Sequence, residues 1–303
     1  MTVDIRDAFF QEIANYALND PDFIIITNDM DAFALAEFKS KYPERFINSG
    51  VAEQNMVNIA AGLASAGKKV LIFGILSFIS TRCFEQIKLN ICGMNLPVII
   101  VGIGPGLSFS FDGPTHHATN DITIMRQLPE LRILNPSDEN TASAAATIAL
   151  DFSAPTYVRI DKGKFPIIDS VECTEKNALG ELVEVKSGDK KVIIFTGTVF
   201  EKTLLIHSQI REDREEVGVI CVVQIKPIPN KLISILSSTR EIIVIEENSI
   251  SGGLFSLVSE IILTQGLNVK AKFVLLKNEQ VFKYGDRNWV TTETEFNSNF
   301  NQS

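Results

Sequence analysis

Short β-branched runs bounded by turn residues alternate with amphipathic stretches along most of the 303-residue chain, the pattern of a parallel sheet wrapped by helices. Ile5, Ala8, Phe9, Ile13 and Ala17 recur at helical spacing, which predicts a helix over 4–19 and then a buried strand over 23–27. Further strands are predicted over 46–48, 70–73, 98–101, 132–134 and 156–160, with helices over 53–66, 80–92, 120–127 and 138–150. Between 161 and 191 the periodicity gives way to charge, Gly and Lys, as a linker does. A second unit follows, with strands over 192–196, 217–223, 241–245 and 271–275 and helices over 199–211, 230–236 and 253–264. The expected fold class is α/β with two domains, each a mainly parallel sheet flanked by helices. The first domain covers 1–165, a linker 166–190 and the second domain 191–285, leaving a poorly ordered tail over 286–303.

Composition removes several function classes. A net charge of −9, from 28 Lys and Arg against 37 Asp and Glu, offers no bulk cationic footprint for a polyanion, so nucleic acid is not expected as a partner. The longest apolar runs fall well short of the ~20 residues that span a bilayer. Asp4, Arg6 and Asp7 stand where a secretory signal would need apolar residues, and the expectation is a cytoplasmic protein. Cys83, Cys92, Cys173 and Cys221 form no C-x-x-C pair, so they read as reduced, mostly buried thiols and not as zinc ligands or a disulfide framework.

Three stretches carry candidate chemistry. Gly102, Gly104 and Gly106 follow a strand, but the spacing is G-x-G-P-G and Pro105 removes a backbone N–H, so a turn is preferred to a dinucleotide loop. A G-x-x-x-x-G-K-[ST] phosphate loop is absent from the sequence. The segment Asp112-Gly113-Pro114-Thr115-His116-His117 falls in a loop after a strand, where parallel sheets place ligand sites, and holds two of the three histidines. The segment Ser49 to Asn55 puts Glu53 in the first turn of an Ala-rich helix, a position that by itself only suits the helix dipole.

Together these stretches resemble one family. Phe46-Ile47-Asn48-Ser49-Gly50-Val51-Ala52-Glu53-Gln54-Asn55-Met56 is similar to the R-F-x-N-x-G-I-A-E-Q-N-M segment of transketolases, and Asp112 to His116 resembles their D-G-P-T-H loop. Ile245-Glu246-Glu247-Asn248 followed by Gly252-Gly253-Leu254 resembles the E-E-x…G-G turn of the family's C-terminal domain. The matches stand in family order to about residue 285. The resemblance implies a pyrimidine-binding domain and a C-terminal domain of a thiamine diphosphate enzyme. The family's G-D-G…Asn motif for diphosphate and metal is missing, since Gly188-Asp189 runs into Lys190 and Gly285-Asp286 into Arg287. The chain therefore resembles the C-terminal subunit of a split transketolase. Its N-terminal partner would hold Mg²⁺ or Ca²⁺, with no metal ligand from this chain, in a two-plus-two heterotetramer.

The resemblance also implies roles. Glu53 would bond the cofactor's pyrimidine N1′ and take part in proton movement, with His116 as the second catalytic residue. Phe78 and Phe84 lie in a segment similar to the family's F-L-x-R-R-A-Y-D-Q stretch, and the resemblance implies that both contact the cofactor; Phe78 would stack on the pyrimidine or pack in the core. Asp112, His116 and His117 would bind substrate hydroxyls, and Arg159, helped by Arg82, would bind a sugar phosphate bidentately. The sequence departs from the family at His117 in place of Gln, Thr81 in place of Arg, and Phe255 in place of a small Gly. The implied reaction moves a two-carbon ketol unit from a ketose or ketose phosphate to an aldose. Alternatives are a 1-deoxyxylulose 5-phosphate synthase-like or 2-oxo acid dehydrogenase β-like subunit, or a noncatalytic assembly subunit, against which the set Glu53, Asp112, His116 and Arg159 argues.

Overall fold

A computed structural model describes residues 3–169, 180–210 and 216–297. Its elements run α1 (Ile5–Asn19), β1 (Phe23–Thr27), α2 (Ala36–Lys41), β2 (Phe46–Asn48), α3 (Glu53–Ser65) and β3 (Lys69–Ile75). An irregular helical stretch follows, with π turns at Phe78–Arg82 and Ile87–Cys92 on either side of α4 (Phe84–Gln86). Then come β4 (Ile99–Ile103), α5 (Asp121–Met125), β5 (Arg132–Leu134), α6 (Glu139–Ala149) and β6 (Thr156–Ile160). The second unit contains β7 (Leu182–Lys186), β8 (Lys191–Phe195), α7 (Phe200–Ile210), β9 (Val217–Val222), β10 (Gln224–Lys226), α8 (Asn230–Ser238) and β11 (Glu241–Ser249). It closes with α9 (Leu254–Thr264), β12 (Lys270–Leu276), α10 (Arg287–Thr294) and β13 (Glu295–Asn297).

The strands form two sheets, ordered β10-β5-β6-β4-β3-β1-β2 and β13-β12-β11-β8-β9-β7. Every inner pairing is parallel, whereas the edge strands β10, β13 and β7 run antiparallel to their neighbours. Parallel strands covered by helices on both faces need apolar side chains on both faces, which is why β4 reads Ile-Ile-Val-Gly-Ile and is buried throughout. Alternate residues supply two cores. Ile25, Leu71, Phe73 and Val101 join one, with Phe9 and Phe10 of α1, while Ile26, Val70, Ile72 and Ile100 join the other. Each core continues into the second sheet, through Ile193 and Phe195 on one side and Val192 and Ile194 on the other.

Local chemistry sets the helix starts. Asp4 accepts from the Arg6 amide at α1, and Asp138 with Thr141 forms a reciprocal capping pair at α6. Cys83, Cys92 and Cys221 are buried and unpaired, and burial pushes each thiol up to about 12; Cys173 lies outside the described residues.

Three features depart from the sequence-based expectation. The stretch expected to be a linker contains β7, and the expected second-domain residues Gln224–Lys226 form an edge strand of the first sheet. The stretch expected to be a poorly ordered tail contains α10 and β13, because Asp286 accepts from the Asn288 and Trp289 amides and β13 pairs with β12. Residues 298–303 lie outside the described residues. Among the described residues, no helix is long and apolar enough to cross a membrane.

Candidate active site

The carboxyl ends of the first sheet's strands gather the candidate residues, the edge at which parallel sheets generally bind ligands. Glu53 opens α3 shortly after β2, Phe78 and Arg82 follow β3, and the loop carrying Asp112, His116 and His117 follows β4. That loop is closed at its base by a two-way backbone pairing of Gly106 with Ala118.

From these elements a continuous row of side chains forms. Arg82 Nη1 donates to Glu53 Oε2 at 2.8 Å, and the Arg82 guanidinium lies over the Phe78 ring at 4.4 Å. The Phe78 ring stands 5.0 Å from the His116 ring, and the Phe109 ring lies 5.8 Å from it. Lys162, just past β6, sets its ammonium 4.0 Å from the Phe109 centroid and is exposed. Glu53 is 5% exposed, and its Oε1 has no hydrogen-bond partner among the described residues. A buried carboxylate with one oxygen fixed and one free is prepared to accept from a ligand N–H. Thr115 Oγ1 is 2.9 Å from His116 Nδ1, leaving Nε2 as the ring nitrogen not engaged by that neighbour.

His117 differs from His116. Both of its ring nitrogens are shielded from solvent and complete no hydrogen bond, although the Ser110 backbone lies alongside. Burial holds its pKa below the usual value, outweighing the pull of the Glu247 and Asp112 carboxylates, so the ring is neutral near pH 7. Asp112 stands exposed on the outer bend of the loop.

Two expected site residues are engaged by the protein itself. Arg159 is 3% exposed and is bound bidentately by Asp121, with Nε to Oδ2 at 2.7 Å and Nη2 to Oδ1 at 2.9 Å. Tyr157 donates to the same carboxylate at 2.9 Å. The guanidinium that the resemblance assigns to a sugar phosphate is bound here by a buried carboxylate. Phe84 is half-buried and packs against the apolar cluster that includes Ile87 and Val57.

Sequence reasoning missed the ties that fix the loop. Glu247, on β11, accepts from the Leu107 amide at 3.0 Å and from Arg287 Nη2 at 2.6 Å. Arg287 Nη1 reaches Asp161 Oδ2 at 2.8 Å, and Asp161 also receives Ser108 Oγ at 2.6 Å and Thr198 Oγ1 at 2.6 Å. Burial alone would raise the Asp161 pKa, but the Arg287 charge and these donors hold it below the usual range. Gly106 is needed here, since a Cβ would stand 2.2 Å from Glu247 Oε2 and its φ is +60°. The neighbouring Glu246 accepts from the Leu254 and Phe255 amides, both at 2.9 Å, at the start of α9, while burial pushes its carboxyl up to about 7.

Residues 1–167 match the transketolase pyrimidine-binding domain and residues 180–286 match the transketolase C-terminal domain. The chain belongs to the transketolase family. An apulose-4-phosphate transketolase subunit from Actinobacillus succinogenes is 30% identical over 258 residues, covering 84% of this chain and 82% of the relative. The corresponding subunit from Phocaeicola vulgatus is 30% identical, with 84% and 82% covered. A 1-deoxy-D-xylulose-5-phosphate synthase of Carboxydothermus hydrogenoformans is 31% identical over 88% of this chain, but only 43% of the synthase is covered. Among solved structures, a split-gene transketolase described as an inactive β4 tetramer superposes with a TM-score of 0.84 at 25% identity, over 96% of this chain and 93% of the other. The chain spans most of the length of the two transketolase subunits and of the split-gene structure that it matches.

Proposed function

We propose that the chain is the C-terminal subunit of a thiamine diphosphate-dependent transketolase that passes a two-carbon ketol unit from a ketose or ketose phosphate to an aldose. The observation that carries this reading is Glu53, a buried carboxylate at a helix start with one oxygen held by Arg82 and the other free. Bound thiamine diphosphate supplies the electron sink for C–C cleavage. Glu53 fits its pyrimidine end, where the free oxygen accepts from a ring nitrogen and the carboxylate exchanges a proton there. Arg82 orients that carboxylate, and Phe78, fixed between Arg82 and His116, offers a ring face for stacking. His116 and Asp112 bind donor hydroxyls, with His116 able to hold a proton at Nε2 toward a developing alkoxide.

The diphosphate and its Mg²⁺ or Ca²⁺ are assigned to an N-terminal partner subunit in a two-plus-two assembly, because the sequence lacks the G-D-G…Asn motif. The near-full coverage of relatives that are themselves single transketolase subunits supports the same division.

The test is ketol transfer by the chain reconstituted with its partner. Glu53→Gln should abolish transfer while circular dichroism and melting stay near wild type; transfer within a few-fold of wild type rules out the assignment. The isolated chain should bind thiamine diphosphate and Mg²⁺ weakly or not at all by calorimetry, and tight binding should appear once the partner is added. Tight, metal-dependent binding and turnover by the isolated chain would overturn the two-subunit reading.

A further inference from the structure

A groove of about 610 Å³ runs along α1, walled by residues 33–37 on one side and by the first turns of α6 on the other. It holds none of the residues placed in the candidate active site. We propose that this groove is a docking surface for a basic amphipathic helix of another polypeptide. The inference goes beyond the ketol-transfer reading and does not depend on it.

The shape suits a length of chain. Asp7, Gln11, Ala14 and Leu18 fall at helical spacing on one face of α1, which makes the groove about 16 Å long at ~1.5 Å per residue, some three turns of a helix. Its apolar surface comes from Ala8, Ala14 and Leu18 of α1 and from Phe33 and Val3, which are 85% and 49% exposed. A strongly exposed phenylalanine beside a groove of this length is an arrangement that takes up the apolar stripe of a partner helix.

The polar groups set the sign of the partner. Asp7, Glu12, Glu37 and Glu139 line the groove, and among the described residues no Lys or Arg does. Arg6 approaches Asp7 only at 3.9 Å, and Glu37 meets the exposed Lys41 at 3.7 Å. Asn140, in the first turn of α6, is 7% exposed, and its shielded Oδ1 completes no hydrogen bond among the described residues. Asp7 Oδ1 is likewise shielded and completes none. Both atoms are acceptors, so what they lack is a donor, and Lys and Arg side chains supply donors only. Glu139, also buried, accepts from the Val3 amide and so holds one end of the groove in place. A second copy of this chain fits poorly, because at a net charge of −9 it would bring more acid to an acidic groove. A compact cation would leave most of the apolar stripe in water.

The experiment titrates a labelled synthetic peptide of Leu, Ala and Lys, patterned as an amphipathic helix, into the full chain and follows fluorescence anisotropy. The peptide should bind saturably and more weakly as salt rises, and the same peptide with Glu in place of Lys should not bind. Phe33→Ala and Asn140→Ala should each keep the fold by circular dichroism and weaken binding about fivefold or more, whereas Leu263→Ala, at an exposed position of α9, should leave it unchanged. The proposal is overturned if the Glu peptide binds as well as the Lys peptide, or if both groove variants bind as wild type. It is also overturned if spermidine at equal concentration displaces the peptide, which would make the groove a small-cation site. Loss of a self-associated form of the chain on Phe33→Ala, read by sedimentation, would overturn it in favour of a second copy.

Discussion

Arg159→Ala would leave the Asp121 carboxylate, which is 0% exposed, with no cation and only the Tyr157 hydroxyl as a side-chain donor. Wild type gives that carboxylate three short bonds, two from the guanidinium at 2.7 and 2.9 Å and one from Tyr157 at 2.9 Å. Breaking one partner out of a buried pair costs about 3–5 kcal/mol, because the surviving charge stays desolvated. For domains of this size such a loss lowers the melting midpoint by roughly 10 °C. Replacing both partners by apolar residues, Arg159→Met with Asp121→Leu, removes the stranded charge and should recover much of that loss, giving a coupling energy of about 1–3 kcal/mol in a double-mutant cycle. Urea unfolding followed by circular dichroism measures all four corners. A structural role for the pair is refuted if Arg159→Ala melts within about 2 °C of wild type, under 1 kcal/mol by the same conversion, and the two substitutions add. A selective rise in KM for a phosphorylated sugar with unchanged stability would instead return the guanidinium to the substrate.

The Glu246 carboxyl, pushed up to about 7 by burial, is favoured in its neutral form, so its contribution is present below the unfolded value near 4.5 and lost as pH rises through 7. The stability of wild type relative to Glu246→Gln should thus fall by up to about 3 kcal/mol between pH 4.5 and 7, and a flat difference would contradict it. Arg287→Ala leaves Asp161 and Glu247 facing the loop base without their shared cation, with an expected loss of about 3 kcal/mol or more in denaturant unfolding. That variant should regain stability as the pH is lowered, since Asp161, no longer held below its usual range, can take up a proton; equal losses at pH 4 and pH 8 would count against the contact.

What the sequence made legible follows burial. Strands 23–27, 132–134 and 156–160 have the bounds expected of them, because inner parallel strands need apolar residues on both faces, and the short edge strand 46–48 is marked by Phe46 and Ile47. The elements that escaped, β7, β10 and β13, are edge strands with few apolar residues to mark them, and they pair because a neighbour presents its free side. Helix α10 buries little beyond Val290 and Thr294, and its one local signal, Asp286, is a common turn residue. In the site, Glu53, Phe78 and the D-G-P-T-H-H loop were readable as a family pattern. The fate of Arg159 was not, since Asp121 reaches it from 38 residues away and only the folded chain brings them together. Phe109 and Lys162 carried no motif at all; the cation meets the ring where a loop after β4 passes the end of β6.

The strand β10 fixes an order of events as well as a shape. Leu134 finds its outer neighbour only when Gln224 has been synthesised, after most of a second domain's worth of chain. Until then β5 presents an open edge, so a nascent or truncated chain ending near residue 167 offers a template for pairing with another copy. Once β10 is in place, Lys226 also donates to the Arg126 carbonyl at 3.1 Å and Arg126 to the Gly252 carbonyl at 2.9 Å. Swinging one domain away from the other would then tear a sheet as well as slide an interface. The halves are joined by a shared sheet edge and by hydrogen bonds between side chains and backbone across it.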